Sequence, residues 1–368
     1  MSTGSCLATD VSDQPAGRRA SSGGGHFLLS KAARDFTLSD VDKMNRFQVH
    51  DWFVKARWGN EGTQVCQECG TIDRHYWIKT RWQWRCKDVA CGRFFSVTSG
   101  TKFTDRKLPL KYILRAMLIF VANVKGISAC SLARQLGIAY MTSFVLLHKL
   151  REGITDSAPE DQIDGLVHVD GAHVSGRQRK PRVKVPTNKA QARDRIDVAA
   201  NPTHPNRRIV MVIRKVSEER GIGGLRTIVE VTRGETAQIA RALAKKYIKK
   251  GAKVHTDEHP AYAEFQARYV HEAVNHSTHF STDEGVSNNQ AESFFSRMRR
   301  MVIGQVHRVT PRYMVDYARE IAWREDFRRD SPSILANKLA KACLSRAGRD
   351  WRRYWQGDKR PGENLFEP

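Results

Sequence analysis

Apolar residues recur with two different periods along this chain, and the change between them divides it into regions. Apolar positions spaced by three and four residues predict helices, whereas short runs rich in β-branched residues predict strands. The helical pattern covers two short pieces within 36–58 and a longer stretch from 108 to 154. Beyond it come three strand patterns, an amphipathic helix ended by Gly251 and a further strand, at 166–174, 207–216, 225–232, 235–251 and 252–256. This order predicts an α/β domain over residues 160–330.

Two short helical patterns within residues 106–155 are separated by a turn of three or four residues. The first is "SACSLARQLG", the turn is "IAY", and the second is "MTSFVLLHKLREGI". This arrangement is typical of a helix-turn-helix, so we expect a helix-turn-helix-like DNA-binding segment here, with a plain helical bundle as the alternative. The acidic, proline-containing stretch 155–165 predicts a linker to the α/β domain.

The charge of the chain narrows the class of partner. Its 368 residues include 62 Lys and Arg against 39 Asp and Glu, a formal net charge of +23. Such an excess favours a polyanion, with nucleic acid ahead of an anionic membrane surface. The longest apolar stretch, 116–122, is far shorter than the roughly 20 residues of a membrane-spanning helix, so no membrane partner is expected. No signal peptide is recognisable, and we expect a flexible tail at 1–35 and a basic tail at 331–368.

Four of the seven cysteines form two pairs with the spacing of zinc ligands. Cys66 and Cys69 lie in "CQEC", and Cys86 and Cys91 lie in "CKDVAC", with sixteen residues between the pairs. Two such knuckles can bring four thiolates onto one Zn²⁺, and the aromatic and β-branched residues between them predict strands. We therefore expect helices plus a structural zinc ribbon within residues 36–105, the ribbon requiring its metal to fold. Clustered thiols beside a few scattered ones also indicate a reducing, cytoplasmic compartment.

Three carboxylates occupy positions that suit phosphodiester chemistry, although each also has a plainer interpretation. Asp170 ends the strand pattern of "LVHVD", Asp257 follows that of "AKVHT", and Glu292 lies on the helix of "NNQAESFFSRMRR". The plainer interpretations are a hairpin turn at Asp-Gly, a helix start after Asp257, and a capping box between Asn289 and Glu292. Hard oxygen ligands from separate elements are what a pair of divalent cations about 3.5–4 Å apart requires.

Basic residues near these acids predict contacts with the phosphate backbone of DNA. The stretch 176–195 is strongly basic, and the helix that carries Glu292 becomes basic further on. The candidate DNA-binding residues are Arg177, Arg179, Lys180, Arg297, Arg299 and Arg300. Four histidines that flank the two aspartates are expected to pack or to support other residues rather than to bind metal: His168, His173, His255 and His259. His75, between the two cysteine pairs, is expected to be a surface or stacking residue rather than a ligand.

Several motifs occur in the order found in one known family. They are "CQECG", "VHVDGAHVSG", "KVHTDEHPAY", "NNQAESFFSRMRR" and "YMVDYAREIAWREDFRR". Over residues 35–330 the chain resembles the DDE transposases of bacterial insertion sequences, in the zinc-ribbon group related to the Merlin elements. The resemblance implies an α/β fold with an RNase H-like mixed sheet flanked by helices, preceded by the zinc ribbon and the helix-turn-helix-like segment. Phe327 departs from the family pattern, in which an asparagine is expected.

The same resemblance implies a function. Asp170, Asp257 and Glu292 would be the catalytic residues and the ligands of two Mg²⁺ or Mn²⁺ ions. The expected activity is that of a DNA transposase, which binds the inverted repeats of its element, cleaves there and joins the freed 3′-hydroxyl to target DNA. A homodimer or larger assembly, a bacterial host and a place at the nucleoid in the cytoplasm would follow. Two alternatives stay open: an inactive zinc-ribbon regulator derived from such an enzyme, and a structure-specific nuclease of the same fold.

Overall fold

The structure, a computed structural model, describes residues 27–59, 63–173, 207–219, 222–274, 287–307, 309–351, 363 and 365–368, and the backbone of 178–179 and 195–196. Its α-helices are α1 (Leu38–Lys43), α2 (Arg46–Trp58), α3 (Leu110–Ala122), α4 (Ala129–Leu136), α5 (Tyr140–Asp156), α6 (Ala237–Tyr247), α7 (Asn289–Met301), α8 (Met314–Asp326) and α9 (Pro332–Leu344). Its strands are β1 (Tyr76–Ile78), β2 (Gln83–Arg85), β3 (Phe94–Phe95), β4 (Leu166–His173), β5 (Gln178–Arg179), β6 (Arg195–Ile196), β7 (Ile209–Val216), β8 (Gly224–Thr232), β9 (Lys253–Asp257) and β10 (Val270–Val274).

The long strands form one mixed sheet of five strands in the order β10-β9-β4-β7-β8. β7 runs antiparallel to both β4 and β8, whereas β9 lies parallel to β4 on one side and to β10 on the other. Strands β1, β2 and β3 form a separate small antiparallel sheet that follows α2. The mixed sheet, flanked by helices and preceded by the ribbon, is the α/β, RNase H-like arrangement predicted from the sequence.

Helices cover both faces of the mixed sheet, because successive strand residues point to opposite sides. On one face Val167 and Val169 of β4 pack with α6 and with the 3-10 helix Pro260–Ala267. On the other face Val212 of β7 packs against α7 and α8. Asp170 lies opposite Val212 in the β4–β7 register, so its side chain projects on the α7 side of the sheet.

Two elements of this domain differ from the sequence prediction. Helix α6 ends at Tyr247 rather than at Gly251, because Ile248 forms a parallel bridge with Ile163 and Lys249 donates a backbone hydrogen bond of 2.9 Å to the Ile163 carbonyl. The sheet also gains β10, which the sequence did not predict. This strand is the outermost one, and its short "VHEAV" pattern lacks the continuous apolar run of a central strand.

The ribbon and helices α1 to α5 share a second core with α9. Leu114 of α3 and Leu339 of α9 are both fully buried in it. Within the predicted basic tail of residues 331–368, Pro332–Leu344 instead form α9, whose apolar side lies in this core. Trp351 beyond α9 is also buried and stacks on His148 with 4.5 Å between the ring centroids.

Phe327, which departs from the family pattern, is part of this second core. It directly follows α8, and its ring lies 5.6 Å from that of Trp323. The ammonium group of Lys338 on α9 lies 4.6 Å from the Phe327 ring centroid, within the range of a cation–π contact. The aromatic side chain thus joins the end of α8 to α9.

Helices α4 and α5 have the form of a helix-turn-helix. Gly137 ends α4 in the left-handed conformation with φ +64°, and α5 then turns by 114° relative to α4. Residues 145–154 of α5 are buried, since α8 and α9 pack against this helix. The exposed parts are the beginning of α5 at Tyr140 and the outer side of α4 at Arg134, so the predicted DNA contact is restricted to these parts. Within the described ranges no single helix is long and apolar enough to cross a membrane; the bent α4–α5 pair passes that test only when taken together.

Candidate active site and zinc centre

The four cysteines predicted to bind zinc converge in the structure. The Sγ atoms of Cys66 and Cys91 lie 3.7 Å apart, and those of Cys69 and Cys86 lie 3.6 Å apart. All four sulfur atoms lie within 4.8 Å of one another. Since Zn–S bonds of about 2.3 Å in a tetrahedron separate the sulfur atoms by about 3.8 Å, this cluster fits a single Zn²⁺.

His75 supports the zinc centre through both ring nitrogens. Its Nε2 lies 3.1 Å from the carbonyl of Gln64 and 3.2 Å from that of Thr71, and its Nδ1 accepts a hydrogen bond of 3.1 Å from the amide of Lys87. The ring is buried, not on the surface, and packs edge-on against Phe95. It therefore links the first cysteine knuckle to the second.

The sheet places Asp170 and Asp257 side by side. His168 of β4 pairs with His255 of β9, and each aspartate lies two residues beyond its strand's member of this pair. Because side chains alternate along a strand and neighbouring strands lie about 4.8 Å apart, an equal offset puts both carboxylates at one level on one face. The hairpin-turn interpretation of Asp170 is excluded, since β4 continues through Gly171 to His173.

Helix α7 packs across β4 and β7 and brings Glu292 to the same side of the sheet. The capping interpretation of this helix is wrong, because its N-cap residue is Asn288, and the Asn288 side chain makes no capping hydrogen bond. The Asn288 side chain is instead fully buried, and its Nδ2 donates a hydrogen bond of 3.4 Å to the carbonyl of Val169. This contact ties the start of α7 to the residue before Asp170, and Glu292 lies on the exposed side one turn further on.

The negative charges of these carboxylates act on one another. Burial raises the pKa of the Asp170 carboxyl to about 8, and the negative charges of Asp257, Glu235 and Glu292 add to that effect. The amide of Gly171 donates a hydrogen bond of 2.8 Å to Asp170 Oδ1 and opposes the rise in pKa without cancelling it. Such mutual repulsion is what a bound cation would relieve.

Glu235 is a fourth carboxylate that the sequence reasoning missed. It lies just before α6, and the hydroxyl of Tyr262 donates a short hydrogen bond to its Oε1. A Cβ atom added at Gly171 would lie 2.6 Å from the Glu235 carboxylate, so only glycine admits this side chain there. The signal in the sequence was the glycine after Asp170, which serves as a gap within a strand rather than as a turn.

The donor set of this site suits divalent cations. It consists of carboxylate oxygens, the ligands that Mg²⁺ and Mn²⁺ prefer. Among the described residues, only the four cysteines form a group of three or more ligand atoms that all lie within 4.8 Å, so the carboxylates are spread more widely than the ligands of one ion.

The histidines beside the aspartates pack against one another and against the backbone. The rings of His168 and His255 lie 5.3 Å apart and are buried, and burial lowers the pKa of His168 to about 3. His255 Nδ1 lies 3.2 Å from the carbonyl of Ser287, just before α7. His259 is exposed, and its Nδ1 accepts a hydrogen bond of 3.2 Å from the amide of Ala261 at the start of the 3-10 helix.

The candidate DNA-binding residues fall into two groups. Arg299 and Arg300 are exposed in the last turn of α7, whereas Arg297 forms an ion pair with Glu325 of α8. Of the basic stretch 176–195, Arg177 and Lys180 lie outside the described residues, and only the backbone of Arg179, in β5, is described.

Comparison with known families agrees with this arrangement. Residues 162–326 match the ISXO2-like transposase domain, and residues 44–93 match the transposase zinc-ribbon domain. No curated protein matches the chain significantly. Because the second match contains the four cysteines and the first contains the sheet with its three carboxylates, the chain belongs to the IS1595-type transposases, with a zinc ribbon ahead of a DDE transposase domain.

Proposed function

We propose that this transposase cleaves DNA at the inverted repeats of its element and joins the freed 3′-hydroxyl to target DNA, with Asp170, Asp257 and Glu292 as its catalytic residues. The observation that carries the proposal is the equal offset of Asp170 and Asp257 beyond the paired His168 and His255. Two adjacent parallel strands in the interior of the sheet thereby present two carboxylates on one face, and α7, which carries Glu292, packs on that face.

Cleavage and joining are both displacements at phosphorus, so the same arrangement of groups can serve each of them. In the first, a water molecule attacks the phosphorus at the end of the element, the bond from phosphorus to the 3′-oxygen breaks, and a 3′-hydroxyl is released. In the second, that hydroxyl attacks a phosphodiester of the target and displaces the target's own 3′-oxygen. When bound, two Mg²⁺ or Mn²⁺ ions would activate the attacking oxygen and stabilise the leaving one.

The residues of the chain hold this site in place. Asp170 and Asp257 are fixed by strand pairing, and Asn288 fixes the start of α7 against β4. A bound divalent pair would keep all three carboxylates ionised, including Asp170, whose pKa burial otherwise raises to about 8. Arg299 and Arg300 lie exposed further along the same helix, where they can contact the phosphates that flank the reacting one.

Recognition of the DNA end is assigned to the amino-terminal half. The zinc ribbon exposes Tyr76, Trp77 and Phe94 beside basic residues, a combination suited to base stacking and phosphate contact. The guanidinium of Arg81, for example, lies 5.6 Å from the ring of Phe94. Two ends must be held together before joining, which supports a homodimer or a larger assembly on DNA.

The test is cleavage and joining of a labelled DNA end taken from the flanks of the gene. We expect nicking at the repeat boundary and strand joining in Mg²⁺, none in chelator, and a loss of at least about a thousandfold in Asp257→Asn, because a lost metal ligand removes several kcal/mol of transition-state stabilisation. Glu264→Gln is the matched control, since Glu264 lies on the 3-10 helix after Asp257 and forms an exposed ion pair with Arg241.

The outcomes separate the proposal from its alternatives. Tight and specific binding of the repeat without any cleavage in Mg²⁺ or Mn²⁺ would identify a regulator. Cleavage that ignores the sequence of the end and never leads to joining would identify a nuclease. Cleavage and joining that persist in Asp257→Asn would overturn the assignment of the catalytic residues.

A further inference from the structure

We propose that Glu235 is a fourth carboxylate of the metal site, that Tyr262 positions it, and that Gly171 is glycine in order to admit it. This inference rests on the proposed metal-dependent function and extends its ligand set beyond Asp170, Asp257 and Glu292.

Glu235 reaches the site through a gap that Gly171 leaves in β4. Gly171 lies opposite Met211 in register, and Met211 belongs to the core on the α6 face of the sheet. The missing Cβ of Gly171 therefore opens a gap on the α6 face, one residue after Asp170, whose own side chain projects on the α7 side. The Glu235 carboxylate occupies that gap, with both oxygens 2.6 Å from where a Cβ would be.

A hydrogen bond from Tyr262 holds the Glu235 side chain in this gap. Tyr262 is 1 % exposed, and its hydroxyl donates to Glu235 Oε1. One carboxylate oxygen is thus oriented by a rigid, buried phenol. Metal-binding carboxylates are commonly oriented in this way by a second hydrogen-bonded residue.

Glu235 interacts electrostatically with two of the other acids, Asp170 and Asp257. Its charge acts on Asp170, and the charge of Asp257 acts on Glu235 in turn. Tyr262 is also within electrostatic reach of both aspartates. A half-buried carboxylate within electrostatic reach of two others is costly for the folded chain unless a cation lies among them, so the arrangement is understandable as part of a cation site.

The experiment measures Mn²⁺ binding by calorimetry to the full-length, zinc-loaded protein without DNA. We expect Glu235→Gln to weaken Mn²⁺ binding by about 10–100-fold and Tyr262→Phe by about tenfold, because ligand loss and misorientation act at this scale. Glu264→Gln, on the same 3-10 helix as Tyr262, is the control and should bind Mn²⁺ as the unchanged protein does.

A double-substitution cycle tests the role of Gly171. Gly171→Ala should weaken Mn²⁺ binding in the unchanged protein, because the added methyl group displaces the Glu235 carboxylate. In a Glu235→Ala background the same substitution should have no further effect, because nothing remains to be displaced. Equal effects in both backgrounds would show that Gly171 acts independently of Glu235 and would overturn this part of the proposal.

Thermal unfolding of the zinc-loaded protein, with and without added Mn²⁺, separates a metal role from a structural one. Glu235→Gln should leave the melting temperature without Mn²⁺ unchanged or raise it, and should reduce the stabilisation that Mn²⁺ provides. Unweakened Mn²⁺ binding in Glu235→Gln, with binding weakened in Asp257→Asn, would overturn this inference alone. Unweakened binding in both variants would overturn the proposed metal site as a whole.

Discussion

At the scale of single residues, Asp170 shows how partial burial and neighbouring negative charges make an ionised carboxylate unfavourable in the folded protein. Its carboxyl is partly buried and lies within electrostatic reach of Asp257, Glu235 and Glu292, so its pKa rises to about 8 in the folded protein. In the unfolded chain it would titrate near 4. A raised folded pKa means that the contribution of this group to stability is complete below about pH 4 and is lost as the pH rises toward 8.

The loss of stability at high pH gives a prediction for Asp170→Asn, which cannot ionise at this position. In chelator at pH 8 the variant should be more stable than the unchanged protein, by about 1–3 kcal/mol after allowance for partial exposure of the side chain. The difference should shrink toward zero near pH 4, where the aspartate is protonated in both states. Urea unfolding at several pH values measures it, and a variant that is less stable at pH 8 would contradict the electrostatic account.

Asn288 illustrates a residue whose role depends on a partner far away in the chain. The sequence "NNQAE" has the form of a helix start, and capping is the local interpretation of such a motif. The structure uses the Asn288 side chain for Val169, more than one hundred residues earlier. Local spacing carries no information about that contact.

At the scale of elements, the zinc ribbon is organised by its metal site and by aromatic contacts with α2. His50 of α2 lies among the rings of Trp77, Trp82 and Trp84, with centroid distances of 5.1 to 5.4 Å. The three tryptophans lie between the two cysteine pairs, so the zinc site closes the loop that positions them. Stability of the ribbon and packing against α2 are therefore coupled.

Removal of one thiolate should release this element without unfolding the rest. Cys86→Ser is expected to lower bound zinc to below one ion per chain and to shift the tryptophan emission to longer wavelength, because the three rings lose their packing. Far-UV circular dichroism should change little, since most helices and the mixed sheet lie outside the ribbon. Cys130→Ser is the control, as Cys130 is exposed on α4 and outside the cluster. Full zinc content in Cys86→Ser would contradict the four-thiolate site.

At the scale of the whole molecule, a buried ion cluster connects the amino-terminal helices to the transposase domain. Arg151 of α5 donates a hydrogen bond of 2.7 Å to Glu320 of α8, and Arg324 of α8 donates one of 2.8 Å to the other oxygen of Glu320. Arg324 also donates to the carbonyls of Phe120 and Asn123 at the end of α3. The carboxylate is fully buried, and its two guanidinium partners keep its pKa below the usual value.

Breaking this cluster should be costly, because it leaves buried charge without a partner. We expect Glu320→Gln to lower the free energy of unfolding by about 3–5 kcal/mol, as measured by urea titration. Glu264→Gln, which breaks only the exposed pair with Arg241, should change it little. An equally small effect of both substitutions would show that the cluster does not hold the two regions together.

Much of the architecture was determined by the sequence alone, because its signals are short in range. The spacing of Cys66, Cys69, Cys86 and Cys91 determined the zinc centre, since a knuckle needs only a few neighbouring residues. The periodicity of apolar residues located most helices and the central strands, and the motif order identified the family. The position of Asp257 at the end of a strand could also be read locally, whereas Asp170 lies within β4, which continues to His173.

Only the tertiary structure decided which distant residues meet. Gly171 and Glu235 are 64 positions apart, and neither flanking pattern predicts that one leaves room for the other. The same holds for α9, whose apolar side could be recognised as core only once α2, α3 and α5 were seen to leave a place for it. Periodicity reports which side of an element is apolar, whereas the partner of that side is set by how the whole chain packs.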